Sequence, residues 1–150
     1  RAIIGEAYVI RGGQWRTPEP ENIGYLDQHY RNLDPHRSAL EIIAEANPNW
    51  TRIEIRKHLS DFLFRQNREV ETAAALLSGG ERVRLSLAQI AARPPKLLLL
   101  DEITNNIDLE TRRHVGAILS QYPATMICIS HDEDFLAEIE AEKWDILIGG

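Results

Sequence analysis

Two acids, Asp101 and Glu102, close the apolar run Leu97 to Leu100. Ser130 and His131 close a second run, Thr125 to Ile129, and Gln28 follows a third, Ile23 to Leu26. A carboxylate at a strand end can hold Mg²⁺, often through water. A neighbouring carboxylate can orient or deprotonate an attacking water. A histidine and an amide can then position that water and a terminal phosphate. The start of a helix at Ser78-Gly79-Gly80 adds free backbone N–H groups with no side chain to block an anion. Together these groups suit metal-assisted phosphoryl transfer. Singly, each has an ordinary explanation: paired acids after a strand often form a solvated turn, and Ser-Gly-Gly is a common helix entry. Their order and spacing favour one shared purpose. Ser130-His131-Asp132 spells out a catalytic triad, but adjacent residues rarely reach the relay geometry, so that reading is set aside. His29, His36, His58 and His114 are read as surface residues.

The elements that must position these groups are partly legible. Ser78 with Glu81 three residues on has the form of a capping box, and Val83, Leu87, Ile90 and Ala91 give the following helix one apolar stripe. Pro94 and Pro95 cannot continue that helix. Leu97 to Leu100 is then short and unbroken, as a strand covered on both faces would be. Upstream, Arg1 to Ile4 read as the tail of a helix stopped by Gly5, followed by a hairpin through Ala7–Ile10 and Trp15. Thr17 to Pro20 form a turn or loop, and Ile23 to Leu26 a strand. Pro35 is expected to open a helix carrying Leu40, Ile43 and Ala44. Thr51 and Glu54 form another capping box, leading a helix lined by Ile55, Leu59, Phe62 and Leu63. The polar stretch Gln66 to Glu71 leads on to Ser78. Downstream, Asp108 caps a helix to about Gln121 with Val115, Ile118 and Leu119 inward. Thr125 to Ile129 reads as a buried strand, Phe135, Leu136 and Ile139 as a further amphipathic helix, and Trp144 to Ile148 as a closing strand.

Strands alternating with helices predict an α/β fold around a parallel sheet with right-handed crossovers. Such sheets place ligands at the carboxyl ends of their strands, where Gln28, Asp101 and His131 would converge. Residues of about 35 to 93 interrupt the alternation and are expected to form a small helical subdomain, leaving 94 to 150 to the core. The chain has 150 residues, 43% of them hydrophobic and 27% charged, the composition of a soluble globular domain. Its net charge of −6 gives no electrostatic case for nucleic acid. No apolar run is long enough to span a bilayer. The only cysteine, Cys128, lies in an apolar run and reads as a buried structural thiol, compatible with a reducing cytoplasm.

Taken together, these residues resemble the second half of an ATP-binding cassette, over Gln28 to Asp132. Leu77-Ser78-Gly79-Gly80-Glu81 is similar to the ABC signature motif, Leu97 to Asp101 to Walker B with Glu102 as the catalytic glutamate. Ile107-Asp108 is similar to the D-loop, His131 to the switch histidine and Gln28 to the Q-loop glutamine. The resemblance implies a P-loop NTPase core, in part, with an inserted helical subdomain carrying the signature. It implies Mg²⁺ with ATP as the cofactor, with Asp101 and Gln28 meeting the metal through water. It also implies that Ser78, Gly79, Gly80, Glu81 and Asp108 serve a nucleotide shared with a second cassette. Within the superfamily the chain is most similar to the ABC-F group, soluble twin-cassette ATPases that generally act on the ribosome in the cytoplasm. The cues are Ile23 to Gln28, Leu77 to Arg82, Asp101 to Asp108, and Ser130 to Asp132 with Phe135-Leu136. The group usually carries Pro where Ile103 stands and His where Asn106 stands; neither position supplies a carboxylate. Only 50 positions separate Gln28 from Ser78, too few for the helical arm usual in a first cassette, so the second cassette is expected.

A cassette also needs the phosphate-cradling loop G-x-x-x-x-G-K-[ST]. The lysines here are Lys57, Lys96 and Lys143, and none follows a glycine. Because the chain starts at Arg1, truncation is the expected cause, and the chain by itself is expected to be inactive. The same-class alternative is the ATP-binding subunit of a membrane transporter, which would receive a coupling helix on residues 35 to 93. A chromosome-maintenance ATPase would need a long coiled-coil insertion between Gln28 and Ser78, and none is present. A non-enzymatic interaction module that kept the signature helix stays open for this piece.

Overall fold

The computed structural model describes residues 18–142 other than Asn106. The helix tail at 1–4, the hairpin at 7–16 and the strand at 144–148 expected from the sequence lie outside those residues. Among the described residues three five-residue strands form the sheet: β1 (Ile23–Asp27), β2 (Leu97–Asp101) and β3 (Thr125–Ile129). Their order is β1-β2-β3 and both pairings are parallel. The register aligns Asp27 with Asp101 and Asp101 with Ile129, so the carboxyl ends of all three strands share one edge.

The central strand β2 is buried throughout its leucines, as an unbroken apolar run requires. Leu98 and Leu100 face one side of the sheet, where they join the main hydrophobic core. β3 departs from the expectation of a buried strand. Thr125, Ile127 and Ile129 are exposed, while Met126 and Cys128 pack against the core. Among the described strands β3 pairs only with β2.

Between β1 and β2 run α1 (Ala39–Ala46), α2 (Arg52–Asp61), α3 (Asn67–Glu71) and α4 (Gly79–Ala92). Capping boxes at Ser38, Thr51 and Ser78 start the three longer helices, each closed by a glutamate three residues on. Ser38, not Pro35, therefore opens α1. The stretch Gln66 to Glu71, read as a connector, contains α3, whose start is held by Glu69 accepting from the Arg65 and Gln66 N–H groups (2.8 and 2.9 Å). α4 packs against α1, α2 and α5. Val83, Leu85, Leu87 and Ala88 are all buried, so α4 runs through the core instead of lying on it.

After β2 come α5 (Leu109–Leu119) and, beyond β3, α6 (Glu133–Glu138). Asp108 caps α5 and Asp132 caps α6, each accepting from the N–H three residues on. One face of the sheet and the helices contribute to one continuous cluster, from Leu26 and Leu98 to Ile42, Leu59 and Phe135. No helix among the described residues is long and apolar enough to cross a membrane.

Candidate functional site

The shared strand edge gathers the first group of side chains. Asp101 ends β2, and the Tyr25 hydroxyl donates to its Oδ2 at 2.9 Å. Tyr25 lies two residues before Asp27 and so points to the same face. Burial pushes the Tyr25 phenol up to about 12, helped by its donation to Asp101 and by the charges of Asp101 and Asp27. Asp27, in register with Asp101, is buried and already fully engaged. It accepts from Arg31 Nε at 2.6 Å and from the His29 N–H at 3.0 Å. Burial alone would raise its carboxyl, but these hydrogen bonds and the guanidinium charge outweigh it and hold the group below the usual aspartate range.

Glu102 extends β2 by one bond, its N–H donating to the Ile129 carbonyl at 2.9 Å. Its φ of 53° lies in the left-handed region, a costly conformation for a side chain with a Cβ. The turn leaves Glu102 Oε1 3.4 Å from His131 Nε2. His131 is fully open to solvent (99% exposed), whereas Glu102 is 18% exposed. Burial and the nearby Glu102 charge push the Cys128 thiol up to about 11, so it stays protonated at neutral pH, as expected of a structural thiol. Gln28 sits one residue past β1, exposed, with its amide 3.4 Å from the His29 ring.

Asp132 is occupied elsewhere: Arg112 Nη1 holds both of its oxygens at 3.2 and 3.0 Å while it caps α6. Ser130 Oγ accepts from the Asp132 N–H at 3.1 Å and meets Thr104 Oγ1 at 3.3 Å. Ser130 and Asp132 are thus bonded to Thr104, Arg112 and the start of α6, in line with setting the triad aside.

A second group forms at the start of α4. The Ser78 N–H donates to Glu81 Oε2 at 2.8 Å, and Ser78 Oγ accepts from the Glu81 N–H at 3.2 Å. The hydrogen bonds from Ser78 hold the Glu81 carboxyl below its ordinary range. Gly79 and Gly80 follow directly. A Cβ on Gly80 would stand 2.9 Å from Thr111 Oγ1 and 3.3 Å from Asp108 Oδ2, which is itself bound to that hydroxyl at 2.7 Å. Gly80 is therefore required for the close approach of α4 to the cap of α5. Gly80→Ala should destabilise the protein by about 1–3 kcal/mol through overpacking, read as a lower urea midpoint at unchanged m. An unchanged midpoint would mean that Thr111 yields without cost.

The sites expected from sequence thus fall into two clusters: Asp101, Glu102 and His131 at the sheet edge, and Ser78 to Glu81 with Asp108 at the α4–α5 junction. Tyr25 and the pairing of Asp27 went unnoticed in the sequence reading; the parity of Tyr25 and Asp27 along one strand was the available signal. Among the described residues no cluster of three His, Cys, Asp or Glu could enclose a metal. Asp101 and Glu102 do supply hard oxygen donors, which suit Mg²⁺ bound by one or two carboxylates with water and phosphate completing its shell.

Known proteins resemble this chain in sequence and in fold. A profile of the family described as ABC transporter matches residues 4–105. The ATP-binding protein Uup of Escherichia coli is 36% identical over 132 residues, covering 85% of this chain and 21% of the relative. The ATP-binding cassette sub-family F member 3 of Pongo abelii is 34% identical over 151 residues, covering 100% of this chain and 21% of the relative. The chain thus spans about a fifth of the length of these relatives. A dimeric post-hydrolysis structure of the ATP-binding cassette MJ0796 bound to ADP and Pi superposes with a TM-score of 0.64 at 22% identity, over 77% of this chain and 55% of that one. A bacterial Atm1-family ABC exporter with ATP bound gives the same TM-score and identity over 79% of this chain and 22% of that one. At that identity the two structures speak for the fold, the α/β arrangement of a P-loop NTPase cassette. The chain belongs to the ABC transporter family.

Proposed function

We propose that this chain is the signature and Walker B portion of one cassette, the second, of a twin-cassette ABC-F ATPase that works on the ribosome in the cytoplasm. The observation that carries the ATPase reading is the placement of Asp101 and Glu102 at the carboxyl end of the central strand, with His131 3.4 Å from Glu102. In this reading Glu102 orients and deprotonates the attacking water. His131 is open to solvent and free to turn toward a terminal phosphate. Asp101 would hold Mg²⁺ and Gln28 would meet it through water, and the metal when bound would neutralise phosphate charge. The α4 start presents the N–H groups of Gly79 and Gly80, with Ser78, to the nucleotide of a second cassette. Asp108 borders the same junction. Residues of about 35 to 93 act as the helical subdomain that carries this surface, and the remainder belongs to the core.

The sequence holds no G-x-x-x-x-G-K-[ST] loop, so the 150 residues on their own have no cradle for the phosphates. Isothermal titration of this chain with Mg²⁺-ATP is expected to give an affinity weaker than about 1 mM, with no turnover. Micromolar binding would overturn that expectation. The ribosome part of the reading rests on the ABC-F group. It is tested by co-sedimentation of the whole protein with ribosomes in the presence of ATP; failure to enrich with ribosomes would favour a transporter role instead.

A further inference from the structure

The two aspartates aligned at the sheet edge are treated differently by their surroundings. Asp27 is paired with a guanidinium and a backbone N–H, which together offset its charge and fill both oxygens. Asp101 receives a hydrogen bond from the Tyr25 phenol at Oδ2, 2.9 Å away. Among the described residues its Oδ1 has no hydrogen-bond partner. A phenol donates one hydrogen bond without adding charge. It can therefore fix the rotation of a carboxylate and leave its full negative charge available.

The contact also requires the observed register. Tyr25 pairs with Leu99 and Asp27 with Asp101, so Tyr25 reaches Asp101 diagonally across one face of the sheet. Diagonal neighbours are within reach only of long or aromatic side chains. A phenylalanine there would fill the same space and lose the donor.

We propose that Tyr25 is a positioning residue for Asp101, holding Oδ2 so that Oδ1 is the oxygen offered to the divalent cation that accompanies the nucleotide. This rests on the reading of Asp101 as the metal-holding residue. Mg²⁺ demands near-ideal octahedral geometry, whereas Ca²⁺ accepts varied angles and ligand numbers. Fixing the carboxylate therefore matters for Mg²⁺ and much less for Ca²⁺.

The test is equilibrium binding of a fluorescent ATP analogue to the whole protein, first in EDTA, then titrated with Mg²⁺ or with Ca²⁺. Tyr25→Phe should leave the metal-free affinity unchanged, raise the Mg²⁺ concentration for half-saturation roughly fivefold, and shift the Ca²⁺ value less than about twofold. Asp101→Asn should abolish the metal-dependent gain for both ions. If Asp101→Asn leaves that gain intact, the metal role of Asp101 fails and the inference with it. Suppose instead that Asp101→Asn abolishes it. If Tyr25→Phe then leaves Mg²⁺ binding unchanged or tighter, shifts both metals alike, or weakens metal-free binding, Tyr25 has no positioning role while Asp101 keeps its own.

Discussion

Replacing Glu102 by glutamine in the whole protein is expected to lower ATP turnover by about 10²–10⁴-fold, the usual contribution of a positioned general base. Glutamine keeps the size and hydrogen-bonding reach of the side chain but cannot take a proton from water. The backbone of residue 102 is already held by its N–H bond to Ile129, so the substitution should leave the fold and nucleotide binding in place. Steady-state phosphate release and nucleotide affinity, measured on the same preparation, separate the two effects. Turnover within tenfold of the unaltered protein would remove Glu102 from the chemistry. Lost nucleotide affinity would instead point to a binding role. The same variant, expected to hold ATP without consuming it, should also give the clearest ribosome co-sedimentation.

Phe135→Ala should cost about 3–5 kcal/mol, the range for deleting a fully buried aromatic side chain. Phe135 is 0% exposed and sits on α6, which packs against α5. Asp132 starts α6 and is clasped by Arg112 of α5, so a collapse around position 135 would also loosen the arm that carries His131. A loss of that size is a large share of the 5–15 kcal/mol that holds a typical domain together. Urea denaturation followed by circular dichroism measures it. A midpoint lowered by less than the equivalent of about 1 kcal/mol would mean that α6 contributes little to the core.

Features fixed by residues three or four apart were the most legible in the sequence. The boxes Ser78/Glu81 and Thr51/Glu54, the helix stop at Pro94 and the strand Leu97 to Leu100 all stand where local chemistry predicts them. Ser38/Glu41 has the same form, but Pro35 masked it because proline is also a favoured helix opener. The gathering of Asp101, Glu102 and His131 followed from strand–helix alternation, since parallel strands bring their carboxyl ends together. Side-chain partners across the sheet were not legible. The Tyr25–Asp101 bond depends on a pairing register between residues 76 positions apart. The closeness of Gly80 to Thr111 depends on how α4 and α5 pack. The burial of Thr125 to Ile129 was misjudged for a related reason: an apolar run cannot state whether both faces of its strand will find a neighbour.

The left-handed φ of Glu102 has a further consequence. A side chain with a Cβ in that region costs on the order of 1 kcal/mol relative to glycine, the residue that occupies it without penalty. In the proposed role, position 102 is therefore pulled by two opposed demands: backbone strain alone would favour glycine, and use of the carboxylate would favour glutamate. An acid retained at that position is a stability–activity trade-off confined to a single residue.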